Sequence, residues 1–237
     1  MLPAAFVFDF DGTLVDTETA EYESVRLVWA DHGLHYPVER WHPYVGTMQS
    51  VPWVDELRDA LGGNGRRAGD RDRDRDLDLD AALRRQARRY NHELLSLVQP
   101  RPGVNALLAA ASEMAVPMGI ASNAPSDWVE QHLRRLALIQ FFDAIVTVDR
   151  VERGKPHPEP YLTACVMLDA DPRRSVAFED SSTGLQAALA AGMYAVAVPG
   201  PMSDGHDLGD ADELVSSLED VTVVGLGAAV AARSPSS

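Results

Sequence analysis

Phe6-Val7-Phe8-Asp9-Phe10-Asp11-Gly12-Thr13-Leu14-Val15-Asp16-Thr17 is the stretch whose reading decides the fold. An apolar run ends in two aspartates one residue apart, then turns on a glycine. In a strand, residues i and i+2 lie on one side, so Asp9 and Asp11 face the same way. Two such carboxylates repel unless a cation sits between them or one keeps its proton. Hard oxygen ligands of this kind suit Mg²⁺. A carboxylate can also attack phosphorus to give an aspartyl-phosphate. The stretch therefore points to phosphoryl chemistry with a metal.

Downstream, helical spacing runs over Thr17–His32, Val51–Leu61 and Leu77–Leu97. Pro100-Arg101-Pro102-Gly103 then punctuates the chain. Beyond it, helices over Asn105–Met114, Trp128–Leu138, Glu159–Leu168 and Thr183–Ala191 alternate with strands. The strands are Val116–Ser122, Ala144–Val148, Ser175–Phe178 and Tyr194–Val198. This alternation predicts an α/β fold whose parallel sheet is covered on both faces. Ligands bind such sheets at the carboxyl ends of the strands. Residues 1–16 and 100–237 are expected to form the core domain, with 17–99 an inserted helical cap domain. Gly62–Asp80, with its alternating Arg and Asp, reads as a solvated, partly disordered loop. Ala228–Ser237 reads as a frayed tail.

The bulk properties narrow the function. A 237-residue chain with 46% hydrophobic residues can bury a sizeable core. A formal net charge of −15 disfavours nonspecific binding to nucleic acid or anionic membranes. Any phosphate site must therefore be locally positive. Cys165 is the single cysteine, so no internal disulfide can form, and a cytoplasmic chain is expected. No secretory or membrane-length apolar run is present. The expected partner is a small phosphorylated metabolite, with no nucleic acid and no membrane, and the chain is read as a monomer or weak homodimer.

The apolar runs end in polar residues at suggestive places: Asp9 and Asp11, then Ser122-Asn123, then Lys155 in Gly154-Lys155-Pro156, then Glu179-Asp180-Ser181. Parallel strands would bring all four ends to one edge. Blander roles compete at each. Glu179 and Asp180 could cap the next helix, Ser122 could be a turn residue and Lys155 a surface lysine. His157, between two prolines, reads as loop scaffold and Cys165 as a small core residue.

Taken together, these motifs resemble the haloacid dehalogenase superfamily. The resemblance is to the branch with a helical cap inserted after the first strand, which includes β-phosphoglucomutases, phosphoglycolate phosphatases and sugar-phosphate phosphatases. It spans about Ala5 to Gly200 and implies a Rossmann-like core. It also implies a nucleophile at Asp9 and, at Asp11, an acid that protonates the leaving oxygen and then activates water. Mg²⁺ would be held by Asp9, the backbone carbonyl of Asp11 and Asp180, with Glu179 ligating directly or through water. Ser122, Asn123 and Lys155 would bind the phosphoryl group. Cap closure, hinged near Asp16-Thr17 and Gln99–Gly103, would exclude water other than the attacking one.

The same resemblance separates phosphatase from mutase. β-Phosphoglucomutases carry a histidine ten residues after the second motif aspartate, where this chain has Glu21. They also carry an arginine three residues after a cap glycine. If Gly46 is that glycine, this chain has Gln49, and another arginine such as Arg58 or Arg101 would have to substitute. A phosphatase is therefore favoured over a mutase. A non-catalytic phospho-ligand binding protein is the alternative of a different class. Thr17, Glu18, Glu21, Tyr22, Gln49 and Trp53 are the candidates for facing the substrate. For Tyr22 and Trp53, core packing competes at least equally.

Overall fold

The computed structural model of the protein describes residues 1–61 and 73–233. It divides into two compact units. The first comprises Met1–Asp16, Val45–Met48 and Gln99–Ser237; the second comprises Thr17–Tyr44 and Gln49–Val98. Val45–Met48 thus groups with the core although it lies inside the expected cap in sequence.

The first unit is built on strands β1 (Phe6–Phe8), β2 (Met118–Ala121), β3 (Ala144–Val146), β4 (Val176–Glu179), β5 (Tyr194–Ala197) and β6 (Glu213–Leu214). They form one parallel sheet in the order β3-β2-β1-β4-β5-β6. β1 is central, and all three of its residues are fully buried. A strand covered on both faces needs this kind of unbroken apolar run. Phe8 stands in register with Phe178 and stacks on it at 4.5 Å, while Phe6 meets the same ring edge-on at 5.3 Å. The strand order reverses between β1 and β4. Their carboxyl ends therefore open the crevice in which ligands bind in sheets of this type.

The helices are α1 (Thr17–Asp31), α2 (Trp53–Leu61) and α3 (Arg73–Leu97) in the second unit, then α4 (Val104–Glu113), α5 (Ser126–Arg135), α6 (Glu159–Met167), α7 (Ser182–Ala190) and α8 (Val223–Ala232) in the first. In the second unit α1 packs on α3, and Asp31 accepts from Gln86 (2.5 Å) and Tyr90 (2.6 Å). No helix among the described residues is long and apolar enough to cross a membrane.

Three segments depart from expectation. Residues 73–76, expected as loop, begin α3, and 77–80, which fell under both the loop and the helical reading, continue it. Propagating a helix costs far less than starting one, arginine is a good helix former, and Asp80 is paired with Arg58. The rest of the expected loop, 62–72, lies outside the described residues. Ala228–Ala232, expected as frayed tail, ends α8, and Arg233 donates to the carbonyl of Met193 at 2.6 Å. That helix is apolar nearly all round, so no amphipathic period marked it. Residues 234–237 lie outside the described set. β6 is two residues long, too short to show a period.

Candidate active site

β1 runs out at Phe8, and the Asp9 amide still donates to Phe178 O on β4 at 2.9 Å. Asp9 is therefore held in line with the sheet and is buried. β4 delivers Glu179, fully buried, and Asp180, nearly so. Ser181, not either acid, caps α7: its side chain accepts from the Gly184 amide. The capping alternative for Glu179 and Asp180 therefore falls away.

Lys155 is buried among these acids. Its Nζ donates to Asp9 Oδ1 and Glu179 Oε1, each at 2.6 Å, and lies 5.0 Å from the centre of the Tyr161 ring. Tyr161 Oη donates to the same Glu179 oxygen at 2.5 Å. Burial disfavours the ammonium, but the two carboxylates outweigh it and hold Lys155 above its ordinary range. Burial raises the Asp9 carboxyl to about 8 even against the pull of Lys155, and the Glu179 charge adds to the rise.

Asp9, Glu179 and Asp180 bring carboxylate oxygens within 4.8 Å of one another, making them a candidate metal trio among the described residues. Three buried acids face the Lys155 ammonium and the charge of Arg101, which Asp180 stabilises. An excess of buried negative charge requires a proton or a further cation. The donor set consists of hard oxygens, as Mg²⁺ prefers. The residues present therefore fit that ion. Gly12 completes the cradle. Its φ is +86°, and the Asp180 carboxylate occupies the space that a side chain there would fill.

Asn123 contacts the backbone of Lys155 and Gly46. Its Oδ1 accepts from the Lys155 amide at 2.8 Å, and its Nδ2 donates to Lys155 O at 3.1 Å and Gly46 O at 3.4 Å. The side chain brackets the lysine backbone. Ser122 is buried at the end of β2, and its Oγ accepts from the Ala124 amide at 3.0 Å. Asp11, half-buried, accepts through Oδ1 from Trp128 Nε1 at 2.8 Å. His157 accepts the Glu159 amide as loop scaffold, and Cys165 is buried.

A family model described as haloacid dehalogenase-like hydrolase matches residues 6–198. The chain belongs to that family. Fructose-1-phosphate phosphatase of Escherichia coli is 32% identical over 197 residues, covering 82% of this chain and 96% of that protein. A β-phosphoglucomutase of Bacillus subtilis is 30% identical over 234 residues, 92% of each chain. Other relatives are named phosphatases. Among solved structures, that of CbbY from Rhodobacter sphaeroides with xylulose-(1,5)bisphosphate matches at a TM-score of 0.71 and 26% identity, covering 95% of this chain and 99% of that one. These relatives put this haloacid dehalogenase-like chain among the phosphoric monoester hydrolases.

The cap candidates lie in the second unit. Tyr22 and Trp53 are buried there. Tyr22 Oη donates to Tyr36 O at 3.1 Å, and its ring meets those of Tyr36 and Trp41 at 6.4 and 6.0 Å. Tyr22 therefore has packing partners within that unit, as aromatics at helical spacing commonly do. Thr17 is buried, Glu18 and Glu21 are half-buried and Gln49 is exposed. Trp41 Nε1 donates to Glu18 at 3.4 Å. The two arginines considered as substitutes are committed elsewhere. Arg58 pairs with Asp55 at 2.9 Å and with Asp80. Arg101 donates to Gly12 O, to Val198 O at 3.0 Å and to Pro199 O at 2.7 Å.

Sequence reasoning missed Tyr161, Trp128 and Ser203. Ser203 Oγ donates to Asp180 Oδ2 at 3.1 Å from the loop after β5. Tyr161 sits six residues past Lys155 and Trp128 six past Ser122, so each opens the helix that follows a motif. An aromatic in that first turn is the signal that could have found two of the three.

Proposed function

We propose that the protein is a Mg²⁺-dependent phosphatase that hydrolyses a small phosphomonoester, a sugar phosphate by class, through an aspartyl-phosphate on Asp9. The observation that carries this reading is the buried Lys155 bridge between Asp9 and Glu179, with Asp180 alongside. It supplies an attacking carboxylate, a positive charge beside it and oxygen ligands at one strand edge.

A carboxylate approaching a phosphate meets repulsion of roughly 4 kcal/mol per pair of charges at about 4 Å, at an effective dielectric near 20. Lys155 offsets part of that and stabilises charge on the equatorial oxygens. Mg²⁺, held by Asp9, Asp180 and the Asp11 carbonyl with Glu179 behind them, would supply the remaining positive charge. Asp9 attacks phosphorus, the bond to the alcohol oxygen breaks, and Asp11 gives that oxygen its proton. Water then attacks the aspartyl-phosphate and Asp11 takes a proton from it. Inorganic phosphate leaves and Asp9 is regenerated. Ser122, at the end of β2, would bind a phosphoryl oxygen.

Water is favoured over a second sugar phosphate as acceptor. Glu21 stands where the mutases carry histidine and, with Gly46 taken as the cap glycine, Gln49 stands where they carry arginine, while Arg58 and Arg101 are bonded elsewhere. The mutase relative keeps that reaction as the second reading.

The test is phosphate release from a panel of hexose, glycerol and nucleoside monophosphates and phosphoglycolate, with Mg²⁺ and with chelator, for the native protein and Asp9→Asn. Release that needs both Mg²⁺ and Asp9 supports the proposal. Unchanged release by Asp9→Asn removes Asp9 as nucleophile. Glucose 6-phosphate made from β-glucose 1-phosphate primed with the 1,6-bisphosphate would instead establish the mutase.

A further inference from the structure

A general acid works only if its proton is aimed at the leaving oxygen, within hydrogen-bond reach. Asp11 lies just past the end of β1, in a turn, where the sheet no longer dictates its direction. One contact to its side chain comes from a different element, α5. Trp128 Nε1 donates to Asp11 Oδ1 at 2.8 Å.

The indole nitrogen can donate but not accept. It therefore favours Oδ1 as the acceptor oxygen, and the proton that the carboxyl carries sits on the other oxygen. The donor is itself held in place. At the start of α5, the Ser126 amide and hydroxyl bond to the two Asp149 oxygens at 3.0 and 2.7 Å, and the hydroxyl also meets Thr147 Oγ1 at 2.7 Å. One turn along the same helix, the His132 ring packs edge-on against the Trp128 ring at 4.5 Å. His132 in turn packs on Phe10 at 6.2 Å. Phe10 is fully buried and immediately precedes Asp11. One helix thus grips the aspartate twice: its side chain through Trp128, and its chain neighbour through His132.

We infer that Trp128 is a positioning residue for Asp11, holding its carboxyl in the orientation that protonates the departing alcohol. This rests on the reading of Asp11 as the acid, so the experiment separates the two. The parameter is kcat/KM, which reports only the steps through departure of the first product. It is measured on an alkyl phosphomonoester, whose alkoxide needs a proton to leave, and on p-nitrophenyl phosphate, whose phenolate does not.

Trp128→Phe should lower kcat/KM about tenfold or more on the alkyl ester and less than about threefold on the aryl ester. Trp128→Gln places an amide N–H at the same number of bonds from the backbone and should recover part of the alkyl-ester loss. Asp11→Asn should show the same selectivity at greater depth. If Asp11→Asn shows no leaving-group selectivity, the acid role itself fails. If Asp11→Asn is selective but Trp128→Phe loses equally on both esters, or loses nothing, Trp128 does not position the acid. A gain on the alkyl ester would mean that Trp128 holds Asp11 away from its work, and would also overturn the proposal. Should Trp128→Phe fail to fold, the Trp128→Gln comparison on the two esters decides alone.

Discussion

Gly12 and Asp180 share one space: a Cβ on Gly12 would lie 2.6 Å from the carboxylate carbon of Asp180. The glycine that turns the chain after the paired aspartates therefore also sets how closely the β4 acid approaches them. Gly12→Ala would push Asp180 aside and force a left-handed backbone on a residue with a side chain. The backbone term alone costs about 1–2 kcal/mol. Mg²⁺ affinity should fall by about tenfold or more as the ligand set is displaced. Chemical denaturation and Mg²⁺ titration of activity check the two effects separately.

Lys155 bridges two buried carboxyl groups with a single positive charge. Lys155→Met should destabilise the protein by about 3 kcal/mol or more, because removing one member of a buried ion pair strands the others. Adding Mg²⁺ should restore part of that stability, since a divalent cation can take over the neutralisation. Activity should not return, because on the proposed reading the phosphoryl oxygens also lose their ammonium. Denaturant unfolding with and without Mg²⁺ is the measurement. Equal stability of the native and variant proteins in chelator would contradict the prediction.

Tyr161→Phe removes one donor to Glu179 and keeps the ring beneath Lys155. Losing a buried hydrogen bond to a charged acceptor should cost about 1.5–3 kcal/mol. Burial and the neighbouring carboxylates keep this phenol well above its ordinary pKa, so it stays protonated across the working range. Its removal should therefore shift unfolding by the same amount at about pH 6 and about pH 9, both below the range where tyrosine titrates.

Asp149 anchors the start of α5, and hydrogen bonds from Thr147 and Ser126 pull its carboxyl down to about 2. A carboxyl lowered in the folded state stabilises above its unfolded pKa, and that stabilisation fades as pH falls toward the folded value. Asp149→Ala should therefore melt below the native protein at neutral pH. The two curves should converge as pH drops from about 5 toward about 2. Thermal melts across that window provide the check, and a constant offset at every pH would contradict it.

Much of this molecule could be read in one dimension. β1 was legible because a strand covered on both faces must be apolar throughout, and Phe6-Val7-Phe8 is. The four motif ends were legible because charged and polar residues closing apolar runs need partners. Elements without a period escaped: β6 is too short and α8 is apolar all round. The Arg/Asp run concealed the start of α3, because its composition matches that of a solvated loop.

Residue identity and order alone determined the parallel α/β core, the inserted helices and the presence of paired acids, a serine and a lysine at strand ends. Those follow from local periodicity and from the cost of leaving charges unpartnered, and both are properties of short stretches. Which atoms meet was decided only by the tertiary structure. Lys155 lies 146 positions from Asp9 and Trp128 lies 117 from Asp11, and each pair is in hydrogen-bond contact. Asn123 brackets the Lys155 backbone, and Arg101 donates to three carbonyls. The physical reason is that hydrogen-bond partnership depends on distances of a few ångströms between elements, which the sheet order and the packing of α5 and α6 set and no local pattern encodes.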